Sequence, residues 1–167
     1  PALVADEIEL YKEIYGAMNF DFQDLTAIVK RSWAIKFCQE LIDRDMGITW
    51  QMPSGTRSEI MDEEVINLLY KSGCRALAFA PESGSEEILK QIHKRVNLRN
   101  MKNAIQIAVN HDLKVSCFFV IGFPQETLST LRKTWLYAMK VATLGAHDIS
   151  VSKFIPYPGS ELFLSLQ

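Results

Sequence analysis

The chain has 167 residues, a formal net charge of −2 and 48% hydrophobic residues, which is enough to bury a core in one domain covering residues 1–167. Its mixed charge gives no reason to expect a nucleic-acid surface or an anionic membrane partner. No apolar run approaches the roughly 20 residues that span a bilayer, and no signal peptide opens the chain, so we expect a cytoplasmic protein.

Apolar segments of helical and strand-like pattern alternate along the chain. Predicted helices cover residues 4–15, 26 to about 44, a segment capped by Asp62, 85 to about 92, about 98–110 and about 128–143. Predicted strands cover residues 18–22, 48–52, 75–80, 114–121 and 148–155. The strands are continuous apolar runs, typical of a parallel sheet buried on both faces. We therefore predict an α/β fold whose parallel strands follow chain order, with helices covering the outer face.

The last long predicted helix places four large apolar side chains at helical spacing. Leu128, Leu131, Trp135 and Met139 recur every three or four residues, so we expect them to face inward.

The cysteines indicate a reducing compartment. Cys38, Cys74 and Cys117 are odd in number and far apart, which argues against a disulfide framework. Cys38 shares a helical face with apolar residues, and Cys117 lies in an apolar strand, so we expect both to be packing residues. The three histidines show no metal-binding spacing.

Three predicted strands end in similar loops. The segments Ala78-Phe79-Ala80-Pro81-Glu82-Ser83-Gly84-Ser85, Phe119-Val120-Ile121-Gly122-Phe123-Pro124-Gln125-Glu126-Thr127 and Phe154-Ile155-Pro156-Tyr157-Pro158-Gly159-Ser160 each break from an apolar run into Gly, Pro and small or acidic residues. In a β/α barrel the loops after the strands share one pocket. The three loops therefore predict a single site.

These motifs resemble the S-adenosylmethionine (SAM) radical enzymes, in the branch whose strands end in Glu-Ser-Gly-Ser and Ile-Gly-x-Pro-x-Glu-Thr. The resemblance covers nearly the whole chain and implies a partial TIM-type (β/α) barrel, of which these are about strands two to six of six. The sequence contains no Cys-x3-Cys-x2-Cys loop, and its first residue is Pro1 rather than Met. We therefore expect a fragment whose first strand and cluster loop lie upstream.

The resemblance implies an iron–sulfur oxidoreductase that reductively cleaves SAM to a 5′-deoxyadenosyl radical, which abstracts hydrogen from a small-molecule substrate. Its cofactors would be SAM and a [4Fe-4S] cluster whose cysteines lie outside this chain, and its partner an upstream cobalamin-binding domain of the same polypeptide. The fragment alone should be inactive. The alternative is a non-radical (β/α)-barrel fragment that binds a small organic acid or phosphate. Acidic groups at Asp24, Glu82 and Glu126 disfavour phosphate.

The loop after the first predicted strand carries Gln23 and Asp24, which the resemblance assigns to the methionine ammonium of SAM. A carboxylate suits a charged donor, but Asp24 would also suit as a cap for a helix that begins near Thr26. Arg57 follows the second strand. Its guanidinium suits a carboxylate or another anion near the cluster, and a salt bridge is the alternative.

The resemblance assigns Glu82 and Ser83 to polar contacts with SAM, including its ribose hydroxyls. Ser83-Gly84-Ser85-Glu86 is also a capping-box pattern, and for Ser85 we expect the cap.

The later loops carry the remaining site candidates. Gly122 would let the backbone approach a flat ligand, and Ile121 would pack on adenine. Glu126 would point into the pocket or favour the positive end of the next helix. Pro156 lies in a rigid exit from the last strand that resembles a family signature and would shape the pocket.

Overall fold

The computed structural model describes residues 1–24 and 27–164, apart from the side chains of Glu161 and Leu162. Its strands form one sheet in chain order, and each pairs in parallel with its neighbours. The strands are β1 (Asn19–Asp21), β2 (Thr49–Met52), β3 (Cys74–Glu82), β4 (Lys114–Ile121) and β5 (Asp148–Lys153). This confirms the predicted α/β class, the parallel pairing and the strand order.

A helix precedes β1, helices connect the successive strands as in a β/α barrel, and a further helix follows β5. They are α1 (Ala2–Tyr15), α2 (Arg31–Asp43), a 3₁₀ helix (Ser58–Ile60), α3 (Glu63–Lys71), α4 (Glu86–Gln91), α5 (Leu98–Asn110), α6 (Leu128–Thr143) and α7 (Glu161–Leu164). The bounds of α5, α6 and β4 agree with the sequence-based prediction. Among the described residues no helix has the length and apolar character needed to cross a membrane.

Helix α2 begins later than predicted. Its first residue is Arg31 and its N-cap is Lys30, which has an extended backbone with φ −117° and ψ 134°. Ile28, only 3% exposed, anchors the preceding segment in the core. Burial of this one side chain explains why the chain stays non-helical up to Lys30. The predicted start at Thr26 lies outside the described residues.

The core lies between one face of the sheet and the helices. Met52, Leu77 and Val115 share that face through the strand register, and all three are buried. Phe37 of α2 and Trp50 of β2 meet edge to face with ring centroids 5.6 Å apart. This packing fixes the helices against β1–β4 and so sets where each strand ends.

The opposite face of the sheet, here called the open face, is mostly exposed among the described residues, although Ala78 of β3 is buried there. It carries mostly small and polar side chains, and those that are partly or fully exposed include Asn19, Asp21, Thr49, Gln51, Ala76, Ser116, Phe118, Val120, Ser150 and Ser152. Gln51 Nε2 donates to Asp21 Oδ1 at 2.7 Å across this face. The prediction of a sheet buried on both faces was therefore wrong. Burial along β2 and β4 alternates, as in a sheet with one lumen face.

The inward face of α6 was also predicted wrongly. Thr130, Thr134, Ala138 and Val141 are its buried residues. Leu128 and Trp135 are 87% and 64% exposed, Met139 is 50% exposed, and Leu131 is half-buried. Small side chains are needed inward because the loop after β3 comes very close to this helix: a Cβ built on Gly84 would lie 2.6 Å from the Lys133 carbonyl oxygen.

Two predicted helix caps had different outcomes. Asp62 caps α3, since its Oδ1 accepts from the backbone N–H of Val65 at 3.0 Å, as predicted. Ser85 occupies the N-cap position of α4, but its side chain makes no capping bond. Its Oγ is buried without a partner among the described residues. Ser85 therefore occupies the predicted N-cap position, but its side chain does not make the predicted capping hydrogen bond.

Candidate functional site

The carboxyl ends of all the strands lie at one edge of the sheet, here called the carboxyl edge, because the strands are parallel. Hydrogen bonds join neighbouring loops there. Ser54 Oγ donates to the Gln23 carbonyl at 3.2 Å, linking the loops after β1 and β2. The backbone N–H and Oγ1 of Thr56 both donate to the Ala78 carbonyl of β3 at 2.8 Å. These bonds join the loops after β1 and β2 to each other and to β3, and the single site expected from the loops after β3, β4 and β5 stays a prediction.

Glu82 ends β3 in a conformation that few residues with side chains adopt. Its φ is +62°, in the left-handed region. The pairing of β3 with β4 shifts register between Phe79 and Glu82, so the strand turns its last residue. Glu82 Oε1 accepts from Lys94 Nζ at 2.9 Å, and the Glu82 side chain is 24% exposed. A partly buried, oriented carboxylate therefore lies at the carboxyl edge in a strained backbone.

The hydroxyl of Ser83 serves the fold. Ser83 is fully buried, and its Oγ lies 2.9 Å from Thr134 Oγ1 on α6. The same Oγ accepts from the backbone N–H of Ser85, and Thr134 Oγ1 accepts from that of Gly84. The turn after Glu82 is thus fastened to α6. A cofactor contact from Ser83 stays a prediction, and its side-chain geometry does not favour it.

Gln23 and Asp24 lie exposed after β1, where the sequence placed them. Since α2 begins at Arg31, Asp24 is too far from its first turn to cap it, so the capping alternative is wrong. The Asp24 carboxylate makes no hydrogen bond or ion pair to another described residue. It is therefore available to a cationic ligand, and its role in SAM binding stays a prediction.

Arg57 lies exposed in the loop after β2, directly before the 3₁₀ helix. It lines a cavity of about 500 Å³, here called the cation pocket, between this loop and the connection from α4 to α5. The salt-bridge alternative finds no support, because Arg57 pairs with no carboxylate among the described residues.

The loop after β4 closes on itself. Gly122 has φ +87°, and its backbone N–H donates to Glu126 Oε2 at 2.6 Å. The Glu126 carboxylate thus folds back on its own loop, and its Oε1 is buried without a partner among the described residues. Ile121 points to the α6 side, where it lines an apolar groove with Trp135 and Val151. Adenine packing by Ile121 therefore stays a prediction that the geometry does not favour.

Pro156 is half-buried in the exit from β5. The start of this exit is held to the neighbouring loop, since the backbone N–H of Phe154 donates to the Ile121 carbonyl at 2.7 Å. The rings of Phe123 and Phe154 lie 5.0 Å apart. The exit therefore shapes the end of the carboxyl edge, and a direct ligand contact from Pro156 stays a prediction.

The described residues contain no group of cysteine, histidine and carboxylate side chains that would hold a metal ion. Cys38, Cys74 and Cys117 are buried, free and on separate elements. Burial raises the pKa of Cys38 to about 11 and that of Cys117 to about 12, and it also raises the pKa of Cys74. Buried protonated thiols are poor cluster ligands, so these residues do not fit an iron–sulfur cluster.

Sequence reasoning missed Lys94, Thr134 and Ser58. Lys94 pairs with Glu82, twelve positions earlier in the chain, and Thr134 holds the Ser83 turn from α6. Ser58 lines the cation pocket. The contacts of Lys94 and Thr134 have no local sequence signature, because each joins side chains from different parts of the chain.

The profile of the Radical SAM superfamily matches residues 6–137. The chain is 28% identical over 167 residues to the anaerobic magnesium-protoporphyrin IX monomethyl ester cyclase of Rubrivivax gelatinosus, covering 99% of this chain and 29% of the cyclase. It is 30% identical over 166 residues to the cytidylyl-2-hydroxyethylphosphonate methyltransferase of Streptomyces wedmorensis, covering 95% of this chain and 30% of that enzyme. The chain thus spans about three tenths of the length of these relatives.

The fold is similar to that of the radical SAM methyltransferase TsrM of Kitasatospora setae, solved with cobalamin and a [4Fe-4S] cluster bound. The TM-score is 0.74 at 17% identity, over 91% of this chain and 30% of TsrM. That likeness confirms the predicted partial TIM-type barrel architecture, and the profile match shows the family. The chain belongs to the radical SAM superfamily.

Proposed function

We propose that this chain is the SAM-binding core of a radical SAM enzyme that reductively cleaves SAM to generate a 5′-deoxyadenosyl radical. The observation that carries this proposal is Glu82, an oriented carboxylate in a left-handed backbone at the carboxyl edge. Strain of this kind persists only where surrounding structure imposes it, and it is concentrated at ligand sites. Because the chain belongs to the radical SAM superfamily, the alternative of a non-radical (β/α)-barrel fragment loses its support.

Two carboxylates at the carboxyl edge suit the charge of SAM. SAM carries a sulfonium and an ammonium against one carboxylate, and charge-assisted hydrogen bonds to carboxylates are the strong ones. In the proposal Asp24 accepts from the ammonium and Glu82 accepts from the ribose hydroxyls. Lys94 orients Glu82, and the bonds from Ser83 and Gly84 to Thr134 hold the turn that presents it.

The cluster enters this proposal only as a group held elsewhere in the protein. In the family the [4Fe-4S] cluster supplies the electron that cleaves SAM, and the described cysteines of this chain do not fit it. Cobalamin, bound in TsrM, is proposed here for an upstream domain of the same polypeptide. The chain's own residues would then bind and orient SAM, and the polar open face would take the substrate. We propose a cytoplasmic enzyme, and the fragment alone should be inactive.

The test uses the full-length parent protein, reconstituted anaerobically with iron and sulfide and then reduced. With SAM present, chromatography should show 5′-deoxyadenosine from the wild type. The Glu82→Gln variant should form much less at limiting SAM and recover partly as SAM is raised. A protein with a full cluster that neither binds SAM nor forms 5′-deoxyadenosine would refute the proposal.

A further inference from the structure

An apolar groove, here called the α6 groove, lies between α6 and β5 on the outer side of the sheet, away from the open face. Its volume is about 520 Å³, and Leu131, Trp135 and Val151 are among the side chains that line it. Leu128 lines it too and, like Trp135, is largely exposed. Met139, one turn after Trp135, is also exposed. A contiguous apolar patch of this kind marks an interaction surface.

The strand beneath the α6 groove is less covered than its neighbour. Phe119 of β4 is 1% exposed, whereas Val151, its partner in register on β5, is 51% exposed. Ile149 of β5 is only half-buried, although its partner Cys117 is fully buried. Within the described part of the chain, the outer side of β5 therefore lacks the covering layer that protects β4. Removal of such side chains from water is the dominant favourable term in folding.

The order of the helices indicates which element belongs over β5. Helix α5 contacts β3 and β4, and α6 contacts β4 and β5, so each helix packs on the strand that it follows and on the next one. Crossovers between parallel strands are right-handed in nearly all proteins, which puts successive helices on the same side of the sheet. By this repeat, the helix that follows β5 packs on its outer side, beside α6 and over the α6 groove. That helix begins in the structure as α7.

The described part of α7 is too short to cover β5. The strand has six residues and is therefore about 20 Å long. A helix of that length needs about 13 residues, whereas the four residues of α7 rise only about 6 Å. The sequence nevertheless carries apolar residues at helical spacing, since Leu162 and Phe163 precede Leu166 by four and three positions.

We infer that the segment after Leu164 extends α7 into an amphipathic helix of about 13 residues or more, whose apolar face fills the α6 groove. The chain spans only about three tenths of the length of its relatives, so a longer parent protein would supply this segment. The inference is independent of the proposed function, because the groove and the open face lie on opposite sides of the sheet.

A segment of the same polypeptide has an advantage over any other occupant. Only the short exit of residues 154–160 joins β5 to α7, so the local concentration of the helix at the groove far exceeds that of a second copy or a separate protein. Charge adds a feature of the helix. Arg132 lines the groove, Lys153 lies on the same side of β5 as Val151, and neither pairs with a described carboxylate. We therefore expect acidic residues beside the apolar face of the helix.

Photo-crosslinking in the full-length parent protein identifies the occupant. The probe is p-benzoylphenylalanine, incorporated in place of Trp135 at the groove, and the control carries it in place of Lys140, which is exposed on α6 outside the groove lining. Mass spectrometry after illumination should find crosslinks from position 135 to residues within about 20 positions after Leu164. They should lie within one polypeptide and persist on dilution, and the control should not form them.

Thiol reactivity in the same protein measures whether the groove is covered. The new thiol in Val151→Cys should react with a maleimide at least about tenfold more slowly than that in Lys140→Cys, because it opens to solvent only with the helix that covers it. Equal rates would overturn the inference, whether or not position 135 forms a crosslink. Crosslinks from position 135 to an upstream domain would also overturn it, and so would crosslinks to a second copy that vanish on dilution.

Discussion

Replacement of Glu82 by glycine separates the ligand role of its side chain from its structural role. With φ at +62°, the side chain costs about 1–2 kcal/mol of strain, which glycine removes. Against this gain, glycine loses more backbone entropy on folding, which destabilises the folded state by about 0.5–1 kcal/mol. The ion pair with Lys94, with side chains 24% and 35% exposed, contributes about 0.2–1 kcal/mol. The free energy of unfolding should therefore change by no more than about 1 kcal/mol.

The effect on SAM affinity should be much larger. Loss of one charge-assisted hydrogen bond costs about 1.5–3 kcal/mol, or about 10- to 150-fold in the dissociation constant. Anaerobic equilibrium dialysis of the full-length protein measures that affinity, and thermal unfolding checks the fold. The control is Asp112→Gly, which relieves a similar φ of +60° and removes the same charge just before β4, at the opposite edge of the sheet. A Glu82→Gly variant that binds SAM as tightly as this control would refute the reasoning.

Three further expectations concern the loops and the core. Asp24→Asn should weaken SAM binding about tenfold or more and leave the melting temperature unchanged, because the carboxylate caps no helix; a lower melting temperature with unchanged affinity would contradict this. Gly84→Ala should lower the free energy of unfolding by about 1–3 kcal/mol, because the new Cβ would lie 2.6 Å from the Lys133 carbonyl oxygen. The control is Gly16→Ala, whose new Cβ meets no atom within 4 Å and which should cost only its backbone strain. Burial raises the pKa of the Cys38 thiol from 9.0 to about 11. Between these two pH values the folded protein keeps a proton that the unfolded chain loses, so the free energy of unfolding should fall as pH rises from one to the other. Cys38→Ala should show a shallower fall in urea unfolding across the same pH range, and an identical slope would contradict the assignment.

The architecture could be predicted because it depends on local patterns. Each strand was predicted from the change between helical and strand-like spacing of apolar residues, and the predicted bounds of β4 and α6 were correct. The face of α6 could not be predicted in this way, because its sequence has two candidate faces. The choice depends on the close approach of Gly84, which no helical pattern records. The start of α2 failed for a similar reason, since burial of Ile28 competes with helix formation in residues 27–30.

The candidate site divides in the same way. Sequence motifs placed Glu82, Asp24 and Arg57 at strand ends, and the parallel order brings them to one edge. Motifs do not show which way a side chain points. The sequence therefore assigned both Ser83 and Glu126 to the ligand site, whereas the Ser83 hydroxyl bonds to Thr134 of α6 and the Glu126 carboxylate accepts from the backbone N–H of Gly122. Residues that share a motif can thus have different tasks.

The charge pattern along the carboxyl edge adds a constraint that single residues do not give. Asp24 and Glu82 favour a cationic ligand, while Arg57 and Arg95 favour an anionic one, and Lys94 lies between the two groups through its bond to Glu82. Like charges are costly to bring together in a partly dehydrated cavity, so one ligand with a single charge sign would not satisfy both regions. A zwitterion such as SAM would satisfy both. In the proposed function its ammonium suits Asp24, its ribose hydroxyls suit Glu82, and its carboxylate suits a guanidinium of the cation pocket, so the two charge regions together hold one ligand in a fixed orientation, the positioning that a reaction requires.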